Sequence, residues 1–332
     1  MKVLVIPTNR PERLQDFFKA WQGRGDWDRV ILVEDAPQRT IFGGLIDHAF
    51  SWKEIDEQLG KDAWIISRRD SAIRCFGFLV AWKMGADYVL TLDDDCFPVP
   101  ERYIGGTLFD HHIVLMKNQI VWRSTVQGRT RGLPYKNFGR LETVANVGLW
   151  TGSGDPDAVC ELAAGRAPDC ILSEDSWIVP SNQLVPVCGM NLCIARRALP
   201  LFYFPLMGEG QPYRRFDDIW AGVIAKRCID ALGWNMSVGP PFVDHRRASD
   251  PIKNLVAEAP GIAANETFWQ EFDEAVVRLP TTMSPRNLVQ CIGYNLMKFE
   301  TSKLAVGAGG HSYIAELGKA LVIWSKLFEE KS

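Results

Sequence analysis

Three observations on the 332-residue chain predict an α/β fold around a mostly parallel sheet. Short apolar runs alternate with amphipathic segments through the first third of the sequence. Three of those runs end in polar clusters. The composition is that of a globular protein, with 47% hydrophobic, 11% aromatic and 23% charged residues.

The elements can be taken in chain order. Lys2–Ile6 (KVLVI) reads as a strand that stops at Pro7. Pro11 suits a first helical turn, and Leu14, Phe17, Phe18 and Trp21 then fall on one helix face. Val30–Val33 is a second buried strand, ending in Glu34-Asp35. A helix is expected around Lys53–Leu59, a strand at Ala63–Ser67, and a helix over Asp70–Met84 with Asp70 or Ser71 near its N-cap. Tyr88–Leu92 (YVLTL) is a further strand, followed by Asp93-Asp94-Asp95. From 123 to 182 the chain is rich in Gly, Arg and Asp, and reads as loops and edge strands over a site. Leu184–Ala195 returns to strand character, and Asp217–Leu232 is a helix stopped by Gly233. Two more helices are expected around Arg286–Glu300 and His311–Phe328.

Bulk properties narrow the function classes. Lys and Arg number 37 against 40 Asp and Glu, a net charge of −3, so no basic surface for nucleic acid or anionic membrane is indicated. No apolar run approaches the roughly 20 residues of a membrane span, and the start of the chain has no signal-peptide pattern. The 8 cysteines have no C-x-x-C spacing, which fits reduced thiols in a cytoplasmic protein rather than a zinc or disulfide framework.

In an open α/β sheet, ligands bind beyond the C-terminal strand ends. Here those ends carry Thr8-Asn9-Arg10, Glu34-Asp35 and Asp93-Asp94-Asp95. Side chains alternate along an extended segment, so in 91–97 (TLDDDCF) Asp93 and Asp95 face one way and Asp94 the other. Two carboxylates on one side suit Mn²⁺ or Mg²⁺, as in the D-x-D of nucleotide-sugar enzymes, or else form an acidic loop. Arg68, Arg69 and Arg74 surround a helix start suited to phosphate, against a slightly favoured reading as a solvated basic face. Asp35 could accept a hydrogen bond from a nucleobase N–H or simply form the turn before Pro37. In 208–222 (GEGQPYRRFDDIWAG), glycines beside Asp217 and Asp218 suggest a close backbone approach with charge to place, or plain N-caps. His245 in 243–251 (VDHRRASDP) comes after an apolar strand, where a lone histidine is more often structural.

The motifs DSAIRCFG, TLDDDCF, GLW followed by DPDA, VCGMNL, GEGQP with FDDIWAG, and HRRASDP occur in this order. Together, from about residue 3 to about 275, they resemble the reversibly glycosylated polypeptide family, the plant UDP-arabinopyranose mutases and their microbial relatives. The resemblance implies a GT-A-like nucleotide-sugar-binding domain over 1–275, with a C-terminal helical extension over 276–332. It implies a manganese or magnesium ion, no flavin, and interconversion of pyranose and furanose nucleotide sugars. The absence of G-x-G-x-x-G after the first strand agrees with the lack of flavin. The substrate that the resemblance implies is a UDP-linked arabinose or a GDP-linked hexose such as GDP-L-galactose. Alternatives are transfer to an external acceptor or a non-catalytic glycosylated subunit, and a homo-oligomer is weakly favoured.

Carried over residue by residue, the family's metal triplet falls on Asp93, Asp94 and Asp95, and its histidine on His245. The implied metal ligands are Asp93, Asp95 and His245. The arginine that is reversibly glycosylated falls on Arg131 in TRGLPY, with Leu133 in place of an aromatic. A second family arginine is replaced by Phe138, with Arg140 nearest, and the lysine before D-S-A is Arg69. Asp155, Asp157, Asp217 and Asp218 are the candidate carboxylates to assist Arg131. Pro7, Thr8, Arg10, Asp35, Arg69, Asp70, Arg74, Asp93 and Asp94 are the candidate nucleotide-sugar contacts.

Overall fold

The computed structural model describes residues 1–40, 44–103, 105–117, 119–120, 140–141, 143–165, 170, 173, 175–247, 250–276, 279, 282–299, 302, 304 and 312–329. In chain order the elements are β1 (Lys2–Thr8), α1 (Leu14–Trp21), β2 (Arg29–Glu34), β3 (His48–Phe50), α2 (Trp52–Leu59), α3 (Arg74–Lys83), β4 (Tyr88–Thr91) and β5 (Cys96–Pro98). Next come α4 (Leu108–Lys117), the short pair β6 (Gln119–Ile120) and β7 (Arg140–Leu141), β8 (Ala145–Gly152), α5 (Ala158–Ala164), β9 (Trp177–Ile178) and β10 (Leu192–Ala195). The chain closes with α6 (Asp217–Ala231), β11 (Met236–His245), α7 (Pro251–Val276), α8 (Pro285–Leu296) and α9 (Tyr313–Lys326).

The main sheet has the order β3-β2-β1-β4-β10-β8-β11-β5, with β9 also on β11. Strands β1, β2, β3, β4, β8 and β11 run one way, and β5, β9 and β10 the other. The result is a mostly parallel, GT-A-like α/β fold. Alternation along β1 divides the core. Val3 and Val5 join the layer beneath α3, α6, α8 and α9, while Leu4 and Ile6 join the layer with α1 and α4. The predicted face of α1 is buried at Leu14, Phe17, Phe18 and Trp21. The C-terminal helices enter the first layer, where Trp324 Nε1 donates to Pro200 O at 2.9 Å and Tyr313 Oη to Leu206 O at 2.9 Å.

Several expectations are corrected. The first strand runs through Pro7 to Thr8. Val5 O accepts from Leu92 N on the β4 side, so Pro7, two residues on, points the same way, beyond the last β1–β4 pair at Val5 and Thr91. Its missing N–H therefore costs no ladder bond. Ala63–Ser67 is not a strand: Gly60–Ile65 winds as a 3-10 helix, and the edge strand is His48–Phe50. In the middle region β8 is no edge strand but lies between β10 and β11. Its small and polar residues (ANVGLWTG) hide it from an apolar-run search. Of Leu184–Ala195, only Leu192–Ala195 pairs as a strand.

Candidate functional site

Parallel strands bring their C-terminal ends to one edge, and there the polar groups meet. Thr8 at the end of β1 donates to Asp94, and Arg10 pairs with Asp94 and, at 3.0 Å, with Asp95. The predicted alternation of the three aspartates fails because the segment turns: Cys96 N bonds back to Asp93 O at 3.1 Å. Asp94 and Asp95 therefore share Arg10, while Asp93 faces Arg74 at 2.7 Å. Burial raises the Asp94 carboxyl above its ordinary range, against the opposing pull of Thr8 and Arg10.

Arg74 opens α3 and is buried. Its Nε donates to Ser71 O at 3.0 Å, Nη1 to Thr91 Oγ1 at 3.0 Å and Gly189 O at 2.7 Å, and Nη2 to Asp93. A Cβ on Gly189 would lie 2.3 Å from the guanidinium carbon, so only glycine leaves room. Burial opposes the guanidinium charge, but Asp93 and Asp217 outweigh it and hold the group above its usual pKa. The basic-face reading thus holds for Arg68, which pairs with Asp56, and for exposed Arg69, but not for Arg74.

Asp35, expected at the nucleobase, is already engaged. Oδ1 accepts from Trp52 Nε1 at 2.8 Å and Arg69 N at 2.9 Å, and Oδ2 from Asp70 N at 2.9 Å. It clamps a turn in which Arg69 has a φ of 55°, an uncommon value for a residue with a side chain. Beyond the turn, Asp70 caps the next helical segment through Ala72 N. The close approach predicted around Gly208 is present: Gly208 bridges Arg68, and a Cβ there would sit 2.3 Å from Arg68 O.

The same loop leads into α6, whose first turn carries Asp217 and Asp218. Ser71 Oγ donates to Asp217, so this carboxylate is tied to the α3 side rather than spent as a cap. Burial raises Asp70, Asp217 and Asp218, and repulsion from Asp217 adds to the rise at the other two. Asp155 lies beyond the end of β8, and crowding of its carboxyl by protein raises it against the attraction of His245, Arg215 and Arg247. Asp157 stands apart as the exposed N-cap of α5, accepting from Cys160 N at 2.9 Å.

His245 ends β11. Its Nδ1 donates to Ser153 O at 3.1 Å, which fixes the ring and turns Nε2 the other way. That nitrogen lies 4.0 Å from Asp95 Oδ1. An imidazole held by a carbonyl and faced by a carboxylate is a donor set suited to Mn²⁺. Among the described residues no group of three or more His, Cys, Asp and Glu side chains is drawn together as a metal cluster. Asp93, the third implied ligand, is held by Arg74 instead. Arg131, Leu133 and Phe138 lie outside the described residues, as does the side chain of Arg140.

Sequence reasoning offered Ser71 only as an N-cap and did not single out Thr91, Gly189, Ser153 or Arg215. Gly189 lies in the VCGMNL motif and Arg215 in GEGQPYRRF, so the signal was present without an assigned role. No helix among the described residues is long and apolar enough to cross a membrane.

Comparison with known proteins completes the picture. UDP-arabinopyranose mutase 3 of Arabidopsis thaliana is 31% identical over 344 residues, covering 98% of this chain and 90% of that protein. UDP-arabinopyranose mutase 1 of Oryza sativa subsp. japonica is 32% identical over 342 residues, again covering 98% and 90%. A profile of reversibly glycosylated polypeptides matches residues 2–332. The likeness therefore extends through the C-terminal helices, past the limit near 275 drawn from the motifs. By full-length similarity and by the order of its motifs, the chain belongs to the reversibly glycosylated polypeptide family.

Proposed function

We propose that this protein interconverts the pyranose and furanose forms of a nucleotide sugar, with UDP-arabinose as the first substrate to test. The observation that carries the reading is the convergence at one sheet edge of Asp93–Asp95, buried Arg74, His245 and the carboxylates of α6. The names of the relatives support the same chemistry and the uridine nucleotide.

Asp95 and His245 would hold a divalent cation of the manganese or magnesium kind, with Asp93 joining them from its contact with Arg74. Bound there, such an ion offsets charge on the departing diphosphate. The rest of the work falls to the chain. As the ring opens, the ring oxygen gains a proton; as it closes again, a different hydroxyl loses one. Carboxyls held above their ordinary range by burial suit both transfers, and Asp155, Asp217 and Asp218 are assigned to them. Arg131 is assigned as the residue that takes the sugar reversibly. Its guanidinium stays protonated near neutral pH. A neighbouring carboxylate must therefore take a proton from it as the sugar–nitrogen bond forms and the diphosphate leaves, and return that proton as the diphosphate re-adds to the anomeric carbon.

A panel of UDP- and GDP-linked sugars with Mn²⁺, followed by proton NMR, tests the reading. Furanose anomeric signals without any acceptor are expected. EDTA should abolish turnover and Mn²⁺ restore it; full turnover in EDTA would remove the cation from the mechanism. Sugar released only in the presence of an external acceptor would replace the mutase with a glycosyltransferase, and a GDP-linked substrate would correct the nucleotide. Unimpaired turnover in Arg131→Ala would remove the covalent step.

A further inference from the structure

Strands β8 and β11 pair in parallel but not evenly. Gly239 is level with Gly148, and the next pair is Val243 with Trp150. Pro240, Pro241 and Phe242 therefore stand against Leu149 alone. Two prolines bring no N–H to this stretch, so carbonyls on both strands are left without ladder donors. Buried side chains supply them. Asn191 Nδ2 donates to Leu149 O at 3.0 Å and to Pro241 O at 2.8 Å, spanning the bulge, and Tyr103 Oη donates to Phe242 O.

Asn191 is held in turn. Both Nδ2 protons are used, so Oδ1 accepts from His112 Nε2 at 2.8 Å. His112 Nδ1 then accepts from Asn146 Nδ2 at 2.9 Å, and Asn146 Oδ1 accepts from Ser237 Oγ at 2.7 Å. His112, Asn146, Asn191 and Ser237 are all completely buried. Each of these side chains is tied to the next, and such networks fix one arrangement of a core. Gly148 completes the fit, since a Cβ there would lie 2.1 Å from Asn191 Nδ2. Two residues before Asn191, Gly189 O receives Arg74, the partner of Asp93. The GLW and VCGMNL motifs thereby acquire a physical role.

We propose that Asn191 is a positioning residue: by bridging the carbonyls of Leu149 and Pro241 it fixes the bulge in β11 and so sets His245 opposite Asp95. The placement stands on geometry alone; its consequence for cation binding rests on the function proposed above.

The test is NMR of the imidazole signals in the metal-free protein, with His245 assigned through His245→Gln and His48 on distant β3 as internal reference. Asn191→Asp keeps the side-chain shape but removes the donors. In folded Asn191→Asp, judged by its thermal melt, the His245 signals should move while those of His48 stay. Unmoved His245 signals would overturn the proposal. If Asn191→Asp does not fold, Ser237→Ala removes only the outermost bond and should move His245 less; no movement there also overturns it. Titration with Mn²⁺ alone adds a second readout, with an affinity about tenfold weaker expected in Asn191→Asp. Wild-type protein that ignores Mn²⁺ while His245 still shifts in the variant would sink the cation reading and leave the positioning role standing.

Discussion

The two halves of the sheet present their side chains by different means. In the parallel half, β1 is laddered to β2 from Val3 to Thr8 and to β4 from Lys2 to Val5. Backbone bonds carry Thr8, Asp35 and the three aspartates to the edge, where Arg10 and Arg74 hold the aspartates. In the other half, the β8–β11 ladder breaks at the two prolines. The side chains of Asn191 and Tyr103 bridge the break, and the Ser153 carbonyl holds the His245 ring beyond it. A backbone ladder tolerates many side-chain changes. A buried side-chain network does not, because each missing partner leaves a desolvated group. The parallel half should therefore withstand substitution away from its charges, and the His245 half should not.

Arg74 breaks this division most severely, because it belongs to both halves. It reaches Thr91 and Asp93 on one side and Gly189 on the other. Removing one partner of a buried ion pair costs about 3–5 kcal/mol. Arg74→Met should lose about that much in urea unfolding, with turnover abolished. A loss below about 1 kcal/mol would mean that the two halves do not depend on this guanidinium.

Acid should sharpen the contrast by acting on the network. Burial lowers His112 from its ordinary 6.5 to about 4, against the opposing hydrogen bond to Asn191. The folded state resists a proton that the unfolded chain accepts, so this contribution is complete above pH 6.5 and drains away as pH falls towards about 4. At its limit the loss is about 3 kcal/mol. Urea midpoints measured from pH 7 to pH 4 should fall more steeply in wild type than in His112→Gln. Parallel profiles would show that His112 is not the proton-sensitive member.

Legibility in the sequence divides along the same line. Strands β1, β2 and β4 are continuous β-branched and apolar runs, and α6 carries its own start and stop signals, so periodicity locates them. Asp93–Asp95 and His245 stand at strand ends where polar residues are conspicuous. Strand β8 has Asn, Gly and Thr in place of an apolar run, because its neighbours are a buried asparagine and a bulge rather than a plain apolar layer. The burial of Arg74 was hidden because three of its four acceptors come from 17 to 115 residues away, a distance no local pattern spans. Asp35 was legible as a strand-end carboxylate, but its three donors, two of them backbone N–H groups, emerge only from the fold.

The smallest expected effect has the opposite sign. Asp218 is raised well above its ordinary 3.8, first by burial and then by repulsion from Asp217 and Asp155. A carboxyl raised in the folded state is ionised more readily by the unfolded chain. Its presence therefore lowers stability progressively as pH rises from the unfolded value towards the folded one. Asn has nearly the same shape and no charge to desolvate. Asp218→Asn should gain nothing at low pH and about 1 kcal/mol at pH 8, read as a rise of about 1–2 °C in melting temperature. Turnover should fall if Asp218 carries the proton transfer assigned to it under the proposed function. A stability gain with lost activity would mark a strained functional group rather than a structural one. A variant that melts lower than wild type at pH 8 would place Asp218 with the supports, and the burden of proton transfer would pass to Asp155 and Asp217.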